Sequence, residues 1–403
     1  MTTDTTELAG QRDRSALGRL PVSALLALAT AVFITSLTET LPAGVLPAMS
    51  ADLGVSQSAT GQTVTVYALG TAFTAIPLTA ATAAWRRKKL LLTSMAGFAV
   101  ANTVTAVSTN YPLTMAARFL AGVAAGVAWA LLAGYARRMA PPHLQGKAIA
   151  IAMAGIPVAL SVGVPVGTFI GKAFSWQIAF WTMTALTVVL LVWILAVVPD
   201  YPGRRTEAKT RMLSALSVPG VRPVLFVTLV FVLAHTILYT YVATFLEHVG
   251  MGRSIDLVLL VFGGASLISI WVVGALINRR LRGLTVASTL LVGVAAALLA
   301  LWANSPPLVY AAVTLWGLGW GGVPTLLQTA AADAGGESAA DTAQAMLVTL
   351  WNLAMAVGGV VGGILLGALG TTSFPWSVLL LMVPVLLVVL AARVHGFPAE
   401  RPT

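Results

Sequence analysis

Three ionisable residues stand well inside apolar runs. Glu39 lies in Phe33-Ile34-Thr35-Ser36-Leu37-Thr38-Glu39-Thr40-Leu41-Pro42, and no other carboxylate of the chain is so placed. A charge near a bilayer centre costs about 2.5–3.5 kcal/mol even on lenient insertion scales, so an acid there points to proton carriage or cargo binding. A neutral glutamic acid bonded to a neighbouring helix is the plainer alternative. Arg118 opens the stretch Met115-Ala-Ala-Arg118-Phe-Leu-Ala-Gly122-Val-Ala-Ala-Gly126. Counted from the outer ends of their runs, Glu39 and Arg118 both lie roughly 10 Å deep at 1.5 Å per residue. That depth lets them pair, with Arg118 tuning the acidity of Glu39, because burial raises a carboxyl pKa and a nearby cation lowers it. Snorkelling of Arg118 outward, or bonding to carbonyls, is the alternative. His235 is the one histidine inside an apolar run.

The elements that must position these groups are membrane spans. The chain has 403 residues, of which 58% are hydrophobic and 9% charged, with a mean hydropathy of +0.91. An ordinary soluble domain is about 25% charged. Apolar stretches near the 20-residue length of a helical span follow one another with short polar breaks, and the ten-residue alternation of membrane strands is absent. The run from Val22 continues too far to be a cleaved signal segment, so it reads as a retained first span. Twelve spans are predicted: Val22 to Leu46, Thr60 to Ala84, Leu90 to Val107, Leu113 to Tyr135, Ala148 to Ile170, Phe174 to Val198, Val224 to Phe245, Leu257 to Ile277, Val286 to Trp302, Leu308 to Leu327, Ala343 to Leu365 and Trp376 to Ala392.

The net charge of +10 does not mark a nucleic-acid binder, because the bases cluster between spans. Connections after even spans carry Arg86-Arg87-Lys88-Lys89, Arg137-Arg138 with Lys147, Arg204-Arg205 with Lys209 and Arg211, and Arg279-Arg280 with Arg282; those after odd spans carry only Lys172 and Arg253. By the positive-inside rule both termini are cytoplasmic. The tenth-to-eleventh connection carries Asp333, Glu337 and Asp341 instead, and acids weigh little in orientation. The implied division is a tail over 1–19, a six-helix bundle over 20–199, a cytoplasmic linker over 200–222, a second bundle over 223–394 and a tail over 395–403. Around Met212, Leu213 and Leu216 the linker reads equally as a surface helix or solvated chain. Without cysteine there is no disulfide, thiolate metal site or thiol nucleophile, and four scattered histidines make no metal centre. Neither a metal nor a cofactor is expected.

The halves echo one another. Gly163, Gly167 and Gly171 in the fifth span match Gly359, Gly363 and Gly367 in the eleventh at a spacing of 196 residues (359 − 163), which carries Glu39 onto His235. Such internal repeats are the mark of secondary transporters. Most of the glycines read as close helix packing. Pro165, flanked by Gly163 and Gly167, and Pro324 should loosen their helices. Trp129, Tyr239, Tyr241, Trp316 and Trp320 are candidate cavity aromatics, with packing or interfacial anchoring the alternative. Gln328 and Asn352 are candidate polar cavity groups.

With Arg118-xxx-Gly122-xxx-Gly126, the chain resembles the major facilitator superfamily, specifically the twelve-span drug:proton antiporter branch that includes sugar and nucleoside efflux permeases. Thr38-Glu39-Thr40-Leu41-Pro42-Ala-Gly44, Gly61-Gln62-Thr-Val-Thr-Val-Tyr67, Gly163-Val-Pro165-Val-Gly167-Thr168, Tyr239-Thr-Tyr241 and Trp351-Asn352 carry the resemblance further, from Leu20 to Val394. It implies an all-α membrane protein of twelve helices in two pseudo-symmetric bundles, with spans one, four, seven and ten lining a central cavity and a fifth-span glycine-proline element typical of antiporters. The branch's loop between spans two and three usually carries an acid, and here Ala80 to Lys89 keeps only the bases. We therefore expect Arg86 and Arg87 to meet Asp341 or its acidic neighbours when the cytoplasmic side closes, an exposed pairing worth about 0–1 kcal/mol per bridge.

The expected function is proton-coupled efflux of a small, partly hydrophobic compound such as a drug, sugar or nucleoside from a bacterial inner membrane. Glu39 and Arg118 would couple the proton, and His235 would serve as a second proton site or cargo ligand. An uncoupled facilitator or proton-linked importer is the alternative. No catalytic constellation or Walker-type phosphate loop suggests an enzyme or ATP-driven pump. Expected partners are the cargo, protons and lipid, and a monomer suffices.

Overall fold

The computed structural model describes residues 20–203 and 216–398, except for the side chains at 75, 76, 79, 80, 337, 338 and 341. The apolar runs become helix throughout, because in lipid each backbone N–H and C=O must be satisfied within its own segment. The first half forms α1 (Val22–Leu53), α2 (Gln57–Ala81), α3 (Arg87–Val107), α4 (Tyr111–Arg138), α5 (Pro142–Ala173) and α6 (Trp176–Val197). The second begins with α7 (Val221–Thr240), extended after a break at Tyr241 by Val242–His248.

Two helical runs are too long for one crossing. Ile255–Trp302 has 48 residues, about 72 Å at the helical rise, more than twice a hydrocarbon core. It breaks at Arg280, whose φ of −138° and ψ of 35° separate α8 (255–279) from α9 (281–302). Val323–Leu369, with 47 residues, breaks at Gly336, where a φ of 55° favours glycine. The result is α10 (Pro306–Trp320, continuing over 323–335), α11 (337–369) and α12 (Ser373–Ala391). The described chain thus has the twelve helices of the expected fold, several overshooting the predicted spans by a turn.

Both described ends and the 198–203 connection lie at one face, called here the terminal face; the α1–α2 turn at Gly54 marks the opposite, distal face. Side chains such as Trp271, Leu380, Val189 and Ile364 are more than half exposed around the outside. An apolar belt this broad is stable against lipid, not water.

The bundles share an internal repeat finer than the glycine spacing. Thr71 Oγ1 donates to the Gly122 carbonyl at 3.1 Å between α2 and α4, and Ser266 Oγ donates to the Gly317 carbonyl at 3.3 Å between α8 and α10. Both partners are displaced by 195 residues (266 − 71 and 317 − 122). A Cβ on Gly122 would stand 2.1 Å from the Tyr67 carbonyl oxygen, and one on Gly317 would stand 2.4 Å from that of Phe262, so glycine is what admits each crossing.

The hydrophobic core shows how the bundles meet. One cluster joins the distal part of α1 (Leu41, Leu46, Met49) and α6 (Phe180, Met183) to the second bundle, whereas the terminal part of α1 (Leu25, Leu28, Val32) belongs to a separate first-bundle cluster. The two bundles are fused toward the distal face. Toward the terminal face they part, and α4 packs mainly on α1, α2, α3 and α5 of its own bundle.

Candidate functional site

The site is assembled from α4 outward. Asn110 caps the helix, its side-chain oxygen accepting from the Leu113 N–H at 3.1 Å, and Pro112 in the first turn fixes the start. Arg118 follows about two turns in and is fully buried. The close crossing at Gly122 sets Tyr67 beneath it, with the guanidinium carbon 5.0 Å from the ring centroid. One turn earlier on α2, the Thr63 carbonyl accepts from Arg118 Nε at 3.3 Å. Nη1 and Nη2 have no hydrogen-bond partner.

Tyr67 ties this to α1 by donating its hydroxyl to the Thr35 carbonyl at 3.1 Å. Glu39 is one turn beyond Thr35, on the same helix face. Its side chain is part-exposed, and it lies within electrostatic reach of Arg118, of Tyr67 and, across the bundle boundary, of Tyr239. Among the described residues Glu39 makes no ion pair, so the two groups are neighbours without contact, contrary to the direct pairing expected from their depth. A buried guanidinium with two open nitrogens beside a solvent-reachable carboxyl is an arrangement whose electrostatics change when a proton arrives or leaves.

Facing it, α7 presents His235 and Tyr239 one turn apart. The imidazole lies flat on Trp320, centroids 3.5 Å apart and planes 3° from parallel. Trp316 Nε1 donates to His235 Nδ1 at 3.2 Å. Phe262 lies 4.7 Å from Trp316, and Trp351 stands 5.7 Å from Trp320. The Tyr239 hydroxyl is buried without a partner. His235, Tyr239, Trp316 and Trp320 therefore come together, with Glu39 opposite.

Other expected residues fall elsewhere. Tyr241 does not line the cleft: it fills the distal seam, its ring where a Cβ on Gly61 would stand 2.3 Å away, its hydroxyl donating to Gly359 O at 2.9 Å and Ser58 O at 3.3 Å. Gln62 Nε2 donates to that hydroxyl at 3.3 Å and to Gly359 O at 3.1 Å, and Ser58 Oγ donates to Gly363 O at 2.8 Å. Lys172 adds a bridge across the same face, 2.5 Å from Asp256. Trp129 packs against the first-bundle core. Gln328 is exposed, its carbonyl accepting from the Gln344 amide, and the Asn352 amide donates to Val348 O of its own helix at 2.9 Å.

Pro165 follows a π-turn over Ala159–Gly163, the widening expected where a proline ring meets the carbonyl four residues before it. Gly167 packs on Leu41, and Pro324 sits in the first turn of Val323–Leu369. At the terminal face Arg86 pairs with Asp200 at 2.5 Å, and the expected contact with Asp341 falls on a side chain outside the described residues; the Arg87 guanidinium donates to Ala83 O at 3.5 Å. The 198–203 connection folds back onto α3 and α4, supplying an acid that sequence proximity does not reveal. Partial burial pushes the Asp200 carboxyl up, and the Arg86 hydrogen bond, the Lys88 amide and the Arg86 charge bring it below its ordinary value. The predicted surface segment around Met212 and Leu213, and the 1–19 tail, lie outside the described residues.

Two six-helix bundles around a cleft with ionisable groups at its closed end define a multi-pass membrane carrier. The chain belongs to the Major Facilitator Superfamily, whose family model matches residues 28–359. It is 27% identical over 372 residues to the purine ribonucleoside efflux pump NepI of Escherichia coli, covering 91% of this chain and 93% of that one. It is 28% identical over 385 residues to the transcription regulatory protein OpdE of Pseudomonas aeruginosa, covering 92% and 94%. Among solved structures it is similar to a mutant of the nucleoside transporter NupG (TM-score 0.72, 15% identity, 93% and 99% covered) and to the human organic anion transporter MFSD10 (TM-score 0.66, 17% identity, 92% and 99% covered). At those identities the structural likenesses establish the fold alone.

Proposed function

We propose that the protein is a proton-coupled antiporter exporting a small, partly hydrophobic compound across a bacterial inner membrane. The observation that carries this reading is the part-exposed Glu39 beside a fully buried Arg118 with two open guanidinium nitrogens. The positive-inside pattern puts the terminal face in the cytoplasm, so the cleft opens inward here. The rocking units are 20–199 and 223–394, joined by 200–222, and the monomer is the working unit. Relatedness to a ribonucleoside efflux pump supports export as the direction.

In this reading Glu39 takes up a proton when the cleft faces outward and releases it inward. Ionised, it draws toward Arg118; protonated, it leaves the arginine to Thr63 and Tyr67. Each proton carried inward gains about 2.3 kcal/mol per 100 mV of membrane potential. Inside-out vesicles energised by an acid interior test this directly. Glu39→Gln should abolish cargo accumulation driven by the pH gradient. Full uptake with unchanged pH dependence would sink the proposal, and uptake indifferent to a protonophore in the unaltered protein would identify an uncoupled facilitator.

A further inference from the structure

His235 is doing something odd for a core histidine. Its ring covers one face of Trp320 at full stacking distance, while Phe231 and Trp351 approach the indole only at tilts of 37° and 41°. Trp316 Nε1 can only donate, so His235 Nδ1 accepts and the neutral ring keeps its proton on Nε2. His235 and Trp320 remain 9% and 7% exposed, whereas Trp316 and Phe262 beneath them are 2% and 1% exposed. The stack is thus the less deeply buried layer over a closed aromatic floor. Beside it the Tyr239 hydroxyl, in a side chain 7% exposed, has a donor with nothing to bind. Tyr239 stands in the last turn of α7, two residues before Tyr241 of the distal seam.

We infer that the Trp320 face, with the Tyr239 hydroxyl beside it, is the seat for a planar heteroaromatic ring carrying a hydrogen-bond acceptor, and that the His235 imidazole is a stand-in which the cargo displaces. The inference rests on the reading that the cleft receives cargo, but not on proton coupling. A face that holds one flat heteroaromatic ring holds another of the same kind, and an unpaired buried hydroxyl selects for an acceptor at its edge. A saturated polyol offers no face to stack. The seat therefore narrows the cargo from a broad set of apolar solutes to flat nitrogen heterocycles.

Equilibrium binding of radiolabelled inosine to the full-length protein in detergent, with ribose as competitor, tests this. Binding without competition by ribose is expected. Trp320→Leu should weaken it about 10-fold and Trp320→Phe by no more than about 3-fold, since a smaller ring keeps a face. Tyr239→Phe should weaken it about 3- to 10-fold through the lost donor. His235→Ala should tighten binding about 3- to 10-fold, because no ring has to leave. Melting temperatures report folding, and Trp320→Phe serves if Trp320→Leu does not fold. Weaker or unchanged binding in His235→Ala overturns the stand-in role. Unchanged binding in Trp320→Leu, equal competition by ribose, or no inosine binding overturns the seat. Glu39→Gln separates the readings: retained coupling in vesicles with the expected binding pattern removes antiport and leaves the seat, and lost coupling with the wrong pattern does the reverse.

Discussion

In the proposed antiport cycle the chemistry turns on Arg118, because it is buried with one nitrogen bonded and two left open. Leaving a buried charge without a partner costs several kcal/mol, a cost that the proposed cycle offsets through what the residue meets when Glu39 ionises. Arg118→Lys removes the fork and the stack over Tyr67 while keeping the charge. We predict that it leaves the melting temperature within a few degrees yet cuts proton-driven transport at least about tenfold, a ratio set by about 1.4 kcal/mol of lost coupling. Vesicle uptake and thermal unfolding of the same preparation check it. The sequence made Glu39 and Arg118 visible, since charged residues in apolar runs stand out. Their separation was not legible: counting residues gives depth along a helix, but not the direction a side chain takes around it. Tyr67 was missed as part of the site for the same reason. Its type is ordinary, and only the Gly122 crossing sets it under the guanidinium.

Among the elements, α2 on α4 and α8 on α10 are the joints that the small residues permit. Gly122→Val should force Tyr67 and its helix apart at a cost of about 1–3 kcal/mol, whereas Gly134→Ala, with no atom within 4 Å of the added carbon, should be near neutral. Thermal unfolding of the two variants in detergent checks the contrast. The Arg86 bridge belongs to this scale as well. The Asp200 pKa is held below its ordinary value, so its share of stability is present above the unfolded carboxyl pKa and fades as pH falls through the lower folded value. Arg86→Ala should therefore cost at most about 1 kcal/mol at neutral pH, and the difference should vanish in strong acid; unfolding at several pH values reads it. The expected partner for Arg86 was Asp341 because the motif's own acid is missing. The acid that Arg86 meets in this structure, Asp200, comes from a connection more than a hundred residues on, a relation only folding creates.

At the scale of the whole molecule, the two bundles are welded distally by Tyr241, Gln62, Ser58 and Lys172 and separate terminally. Twelve spans, their division six and six and their pairing by repeat were all legible, since apolar run length and glycine spacing survive in any conformation. The state of closure was not, because the same sequence must support every state of the cycle. That is also why Tyr241 was misplaced: an aromatic in α7 fits a cleft wall or a seam equally well until the bundles are docked. The chain lacks cysteine, so a seam crosslink can be read cleanly. A Cβ on Gly363 would stand 2.8 Å from Ser58 Oγ, and the Ser58→Cys, Gly363→Cys pair should form a disulfide on oxidation, stop transport and release it on reduction. Transport that persists in the oxidised protein would mean that the distal seam does not open.

The central claim is that cargo and protons exchange through Glu39. Proteoliposomes enclosing a pH-sensitive dye, given a cargo gradient with no imposed pH difference, should show proton movement opposite to cargo in the unaltered protein and none with Glu39→Gln. Equal proton movement in both proteins, or cargo flux in the unaltered protein without any, would contradict it.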